Sequence, residues 1–252
     1  MLEILSQFPP VSLSRLDSVT LMNRTDTKFV TSMAKLDGLL SLALENGYSV
    51  LEVDGSRASA YDSLYFDTPD LKMYTEHHNG HLFRQKVRTR TYLESGATFL
   101  EVKRKNNHKR TKKKRVPIPR ECFEDFSSCG DAASFLVKHS SYNVGDLRPR
   151  LNTRFTRITL VDPDFSERLT IDMNLTFHNH TTGLSADLGD AVIIELKQDS
   201  LRPSRMRGIF LSLRIKPLSV SKYCTGNVLT DPSIKGNRFK IKIRQLKKIS
   251  SC

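Results

Sequence analysis

The stretch from Arg84 to Lys105, RQKVRTRTYLESGATFLEVKRK, decides how the chain reads. Successive strand residues point to opposite faces. Arg84, Lys86, Arg88 and Arg90 therefore share one face, with Gln85, Val87, Thr89 and Thr91 on the other. After a Ser95-Gly96 turn, Phe99 to Lys105 repeats the arrangement, with Glu101, Lys103 and Lys105 set against Leu100 and Val102. Two such strands joined by a short turn form an antiparallel hairpin. Taken alone, the hairpin is explained by a solvated polar face and a packed apolar face.

The same grammar recurs along the chain. Arg24, Asp26 and Lys28 alternate, as do Lys113 and Arg115 against Val116 and Ile118. Arg148, Arg150, Asn152 and Arg154 alternate with Leu147, Leu151 and Phe155; Arg168, Thr170 and Asp172 alternate with Leu169, Ile171 and Met173; Glu195 and Lys197 alternate with Ile194 and Leu196. Strands with such faces repel one another when brought together: a like-charge pair about 8 Å apart costs roughly 2 kcal/mol at an effective dielectric near 20. An open sheet screens those faces with water, whereas a closed one turns them around an anion. Periodicity fixes which residues share a face and leaves open which face is inside.

Composition narrows the partner. The 252 residues carry a formal charge of +13, which calls for an anionic partner such as phosphate, nucleotide, nucleic acid or an acidic surface. No apolar run approaches the roughly 20 residues needed to span a bilayer, and the N-terminus lacks a basic flank before an apolar core. The expectation is a soluble, cytoplasmic protein. Cys122, Cys129, Cys224 and Cys252 show no metal-site spacing, so they read as reduced structural thiols. His77, His78 and His81 have no carboxylate or cysteine at ligand spacing and do not read as a metal site.

Helical periodicity marks Met33 to about Asn46, capped by Ser32 and ended by Gly47, then Leu71 to His77, residues 121–142, and Pro203 to Leu213. Asp67 reads as the organiser of the turn before the second of these. The run from Lys103 to Arg115 reads as a basic hairpin loop, and Phe239 to Lys248 as an amphipathic, lysine-rich tail. Walker, GxGxxG and nucleophile-elbow motifs are absent from the sequence. The chemistry that suits such side chains is phosphoryl transfer, which depends on positioning and charge neutralisation by Arg, Lys and a divalent metal. A carboxylate among the cations, Glu195 or Glu101, suits a metal anchor or an ion pair with neighbouring arginines.

Seven segments carry a family resemblance: RTDTKF at 24–29, LYFDTPDLKMY at 64–74, KVRTRTY at 86–92, FLEVKRK at 99–105, RLTIDMNL at 168–175, VIIELK at 192–197 and SVSKYCTG at 219–226. In this order they resemble the VTC domain. This is the polyphosphate polymerase module of the vacuolar transporter chaperone complex, found also as stand-alone bacterial proteins in the triphosphate tunnel metalloenzyme superfamily. The resemblance covers about residues 15–227. It implies an α+β fold, a closed antiparallel β-barrel forming a tunnel with peripheral helices, as one domain over 1–252 with a basic tail from 228.

The resemblance also implies transfer of the ATP γ-phosphate onto inorganic polyphosphate with Mn2+ or Mg2+. Carried over motif by motif, Arg88, Arg90, Lys103, Arg154, Arg168 and Lys222 would be catalytic. Arg24, Lys28, Lys86, Glu101, Lys113, Arg115, Lys197 and Ser221 would bind phosphate, and Glu195 would hold the metal. Asn152 stands where an aromatic residue is expected two positions before Arg154. The ExExK strand of the superfamily's hydrolases is absent near the N-terminus, which favours polymerase over triphosphatase. A hydrolase of the same fold and a non-catalytic polyanion binder remain the alternatives. Nucleic acid is disfavoured by the absence of Trp and the few aromatics among the cations. A membrane partner and the oligomeric state stay open.

Overall fold

The central hairpin forms as its alternation dictates, with Arg84 opposite Lys105, Arg88 opposite Glu101 and Arg90 opposite Phe99. Gly96 makes its turn at φ 68°, a left-handed conformation that glycine adopts without a Cβ clash. The structure, a computed structural model, describes residues 2–18, 24–107, 111–199 and 203–250. Leu21 to Asn23, at the start of the first strand expected from sequence, and the 108–110 tip of the basic loop lie outside the described residues.

The strands are β1 (Pro10–Val11), β2 (Arg24–Ser32), β3 (Ser49–Leu51), β4 (Ser59–Asp67), β5 (Arg84–Tyr92), β6 (Thr98–Lys105), β7 (Thr111–Pro117), β8 (Arg148–Val161), β9 (Glu167–Asn179), β10 (Ser185–Asp187) and β11 (Ala191–Asp199). The helices are α1 (Leu2–Gln7), α2 (Leu13–Ser18), α3 (Met33–Glu45), α4 (Lys72–Asn79), α5 (Asp131–His139), α6 (Arg205–Ser212), α7 (Lys222–Thr230) and α8 (Lys240–Ser250). Asp67 organises its turn as expected: its carboxylate accepts backbone N–H bonds from Thr68, Met73 and Tyr74 at 2.8, 2.9 and 3.0 Å, fixing the start of α4.

The expected closed barrel does not form. The eleven strands make one sheet whose main path runs β2-β11-β9-β8-β4-β5-β6-β7, with β10 on β9, β3 on β8 and β1 on β3 off that path, and the end strands β2 and β7 do not pair. Two features keep the ends apart. β7 presents Lys112, Lys113, Lys114 and Arg115 in succession, and lysine-rich edges resist pairing. The free side of β2 is taken by the chain before α7, where Pro217 bridges to Phe29 and the Leu218 N–H donates to the Lys28 carbonyl at 2.9 Å.

The open sheet nevertheless curls. β6 and β11 are five strand steps apart, roughly 24 Å on a flat sheet. Yet Lys103 on β6 lies within electrostatic reach of Lys28 on β2 and Glu195 on β11. The result is a trough. Its convex side is buried by α3 and α6 over Phe29, Leu160, Leu169 and Ile194, and by a second cluster of Phe66, Val87, Leu100 and Val102 with Phe126 and α5. A third cluster, Val30, Tyr65, Phe155 and Ile193 with Tyr223 of α7 and Leu246 of α8, fills one end of the concave side.

Two local expectations change. Residues 121–142 are not one helix: a 3-10 turn over Arg120–Phe123 precedes α5. Cys122 and Cys129 are not free thiols; they form a disulfide, with Cα atoms 6.3 Å apart. The turn folds back through Phe126 onto the core, and this brings together two cysteines whose spacing matches no motif.

Helix α7 docks against β8 and β9 through Gly226. A Cβ there would lie 2.6 Å from both Leu151 Cδ2 and Phe177 Cδ1. Gly226→Ala is expected to destabilise the fold by about 1–3 kcal/mol through overpacking, read as a lowered Tm in thermal unfolding.

Candidate functional site

The trough floor begins on the central hairpin. The buried Glu101 carboxylate accepts from Arg88 Nε at 2.7 Å and pairs with Lys113 Nζ across β7 at 2.5 Å. Arg88 also donates to the Tyr65 hydroxyl at 2.9 Å. Arg90 is buried, bonds Ser63 Oγ at 2.8 Å and lies over the rings of Tyr61 and Phe155. Arg115, opposite Glu101 in register, lies over Phe99.

The facing wall comes from β9 and β11. Asp172 receives Arg157 through Nε and Nη2, at 2.5 and 2.7 Å, and pairs with Lys222 of α7. Glu195 stands opposite Lys28 and Thr170 and lies 3.7 Å from Lys197 Nζ. Arg168 pairs in register with Lys197, on the same face. Helix α7 ties the walls together at its first turn. Ser221 caps the helix by accepting the Cys224 N–H and also receives Lys86 Nζ at 2.9 Å, while Lys28 Nζ reaches the Val220 carbonyl at 2.9 Å. Lys103 makes no hydrogen bond or ion pair with any described residue.

Most of the expected residues thus share the concave face: Lys28, Lys86, Arg88, Arg90, Glu101, Lys103, Lys113, Arg115, Arg168, Glu195, Lys197, Ser221 and Lys222. Arg24 begins β2 opposite Asp199, and its side chain lies outside the described residues. Arg154 stands apart. It pairs with Asp62 on the convex side, and Arg157, which follows the aromatic Phe155 by two positions, occupies the trough. Asp172, Arg157, Tyr61, Tyr65 and Phe155 are functional candidates that sequence reasoning missed. The available signal was the F-x-R spacing at 155–157 and the alternation of Tyr61, Ser63 and Tyr65.

Burial and neighbouring charges together tune the ionisable groups. Burial pulls Lys86 down to about 8; Lys113 and Lys222 also fall to about 8, because burial outweighs the attraction of Glu101 and Asp172 respectively. Burial alone would raise the Tyr65 phenol, yet Arg88, Arg90, Lys86 and Lys222 outweigh it and bring it to about 7. Burial likewise opposes ionisation of Glu195, but Lys28, Lys197 and Lys103 overcome it and hold the carboxyl at about 2.

The family signature of the VTC domain matches residues 23–230. No curated protein sequence matches the chain. Among solved structures, a candidate adenylyl cyclase from Hippeastrum with a dominant triphosphatase activity is 15% identical, with a TM-score of 0.53 over 83% of this chain and 97% of that one. A candidate adenylate cyclase from Bacillus halodurans is 13% identical, with a TM-score of 0.52 over 79% of this chain and 96% of that one. At these identities the likeness is one of fold.

These shifted groups give anion binding an expected pH dependence. Lys86, Lys113 and Lys222 are cationic below about 8 and lose their charge above it, while Tyr65 gains negative charge above about 7. Tripolyphosphate affinity, measured by calorimetry, is expected to be highest near pH 6.5 and to fall at least tenfold by pH 9, with Tyr65→Phe removing the lower part of that fall.

Proposed function

The chain belongs to the VTC-domain family, and we propose that it transfers the γ-phosphoryl group of ATP onto a growing inorganic polyphosphate chain lying along the trough. The observation that carries this reading is the cationic concave face, whose charges exceed what Glu101, Asp172 and Glu195 neutralise. A surface of that length and sign suits a linear polyanion better than a compact ligand. Arginine forks at Arg88, Arg90 and Arg157 suit phosphate oxygens.

The attacking group would be a phosphate oxygen of the acceptor, already anionic at neutral pH, so no strong general base is required. The barrier is repulsion between two polyanions. Arg88 and Arg90 are held by Glu101, Tyr65 and Ser63, so their remaining donors are fixed before substrate arrives. Lys86 and Lys222 extend the positive surface to the mouth of α7, and Lys103 offers an ammonium that makes no ion pair with any described residue. Together they would bring donor and acceptor into line.

Among the described residues no three His, Cys, Asp or Glu side chains are grouped to hold a metal on their own. The residues fit an ion bound mostly through substrate, as Mg2+ commonly is with one or two carboxylates plus phosphate oxygens. Glu195 is ionised, faces the trough, and would supply the protein oxygen. Such an ion, Mn2+ or Mg2+, would neutralise charge on the bridging phosphates.

Water would replace the acceptor in a triphosphatase, the activity attached to the Hippeastrum neighbour. Asp172 and Glu101 are committed to ion pairs with Arg157, Lys222, Arg88 and Lys113, which leaves few carboxylates to orient water. This supports the polymerase reading.

With ATP and Mn2+, purified protein is expected to release ADP matched by long-chain polyphosphate. Arg88→Ala is expected to lower kcat/KM about a hundredfold, the loss typical of a removed charge-stabilising donor, and Glu195→Gln to abolish the metal-dependent rate. ADP matched by orthophosphate would replace the polymerase by a hydrolase, and absence of turnover would leave a polyanion-binding trough.

A further inference from the structure

A second polar cleft lies on the opposite side of the sheet. At Asn174, with φ 54°, β9 takes up an extra residue relative to β8, and the pairing shifts between Arg154/Thr176 and Thr156/Met173. Before the bulge the even-numbered residues Thr170 and Asp172 face the trough; after it His178 and His180 point the other way. There they meet Asn152 and Arg154, and β10 and the Glu124 turn border an open cleft of about 650 Å³.

This cleft is built around a buried anchor. Asp62, 2% exposed, accepts Asn152 Nδ2 at 2.7 Å and Arg154 Nε at 3.1 Å. Holding Arg154 by Nε fixes the guanidinium plane and leaves its terminal nitrogens outward, and the side chain is 67% exposed. His178 is oriented by Ser185, Nδ1 to Oγ at 2.9 Å, and its ring lies 5.3 Å from that of His180. Neither His178 Nε2 nor either ring nitrogen of His180 has a hydrogen-bond partner among the described residues. Asp62 is spent on Arg154 and Asn152, Asp187 accepts the Gly189 N–H of its own turn, and Glu124 is an exposed rim residue.

A solvated surface ion pair would need no second donor strand beside it. Here a pre-set arginine fork from β8, the His178 imidazole and Thr176 hydroxyl of β9 and the His180 imidazole just after it line one space. Several donors from different directions match an anion with several oxygens, and an oriented guanidinium binds phosphate bidentately. We infer that this cleft is a second site, separate from the trough, that binds a small phosphate-bearing anion through Arg154, His178 and His180. The inference does not rest on phosphoryl transfer in the trough, and either can fail alone.

The test follows the imidazole C–H proton resonances of the full chain, with His178 and His180 assigned through His178→Gln and His180→Gln. Orthophosphate, pyrophosphate and AMP are titrated separately, so that the tightest of the three distinguishes free phosphate from a nucleotide. Both resonances are expected to shift saturably with at least one probe. Arg154→Ala should raise the half-saturating concentration about tenfold or more, the effect of losing a charge-assisted hydrogen bond. Arg154→Gln, which keeps a donor for Asp62, should do the same, and Arg88→Ala should leave the value unchanged. Resonances that stay fixed with all three probes, or titrate alike in wild type and both Arg154 variants, would overturn the site.

Discussion

Glu101 sits between Arg88 and Lys113 with 2% of its side chain exposed, and this buried carboxylate lets β5, β6 and β7 carry a wall of cations on one face. Each like-charge contact about 8 Å apart costs on the order of 2 kcal/mol, so a wall without anions would push the strands apart. A buried ion pair adds little net stability, because desolvation offsets its attraction. Its effect is positional. Burial opposes ionisation of Glu101, but Arg88, Arg90 and Lys113 hold its pKa well below the usual carboxylate range, so it stays charged and keeps their donors in place.

Asp172 does the same on the facing wall, and through Lys222 it fastens helix α7 to the trough. With Lys28 on the Val220 carbonyl and Lys86 on Ser221, α7 joins β2, β5 and β9. These cross-links explain how the sheet curls without closing. The edge strands need not pair when side chains reach across the gap to one helix, and the chain before α7 already covers the side of β2 that closure would use.

Much of this was legible in the alternation of the central hairpin and of β2, β9 and β11. Each puts its charged residues on one face, and the structure brings those faces together. The limit was that a period of two says nothing about which face is inside. On β8 the rule correctly groups Asn152 with Arg154, but that group faces outward to Asp62, and the inward cation is Arg157. The bulge at Asn174 reverses the parity of β9 midway, so one strand serves the trough at Asp172 and the outer cleft at His178. The Cys122–Cys129 bridge and α7 were equally hidden, because a folded-back turn and a short helix with Gly226 in its middle leave no periodic trace. Closure was an inference from resemblance, and it failed where local edge chemistry decided the outcome.

The perturbed groups follow from burial inside this clamped surface. Burial, which strips water from an ammonium, brings Lys86, Lys113 and Lys222 near 8, and the surrounding cations bring Tyr65 near 7 against its own burial. A polyanion bound as proposed would oppose that field. It would favour protonation of each lysine and disfavour the tyrosinate, so that near neutral pH its binding would be coupled to proton uptake. A surface assembled from arginines alone, whose pKa lies far above neutrality, would bear its whole repulsion at all times. The mixture of Arg88, Arg90 and Arg157 with titratable lysines gives fixed geometry where the carboxylates clamp and adjustable charge around it.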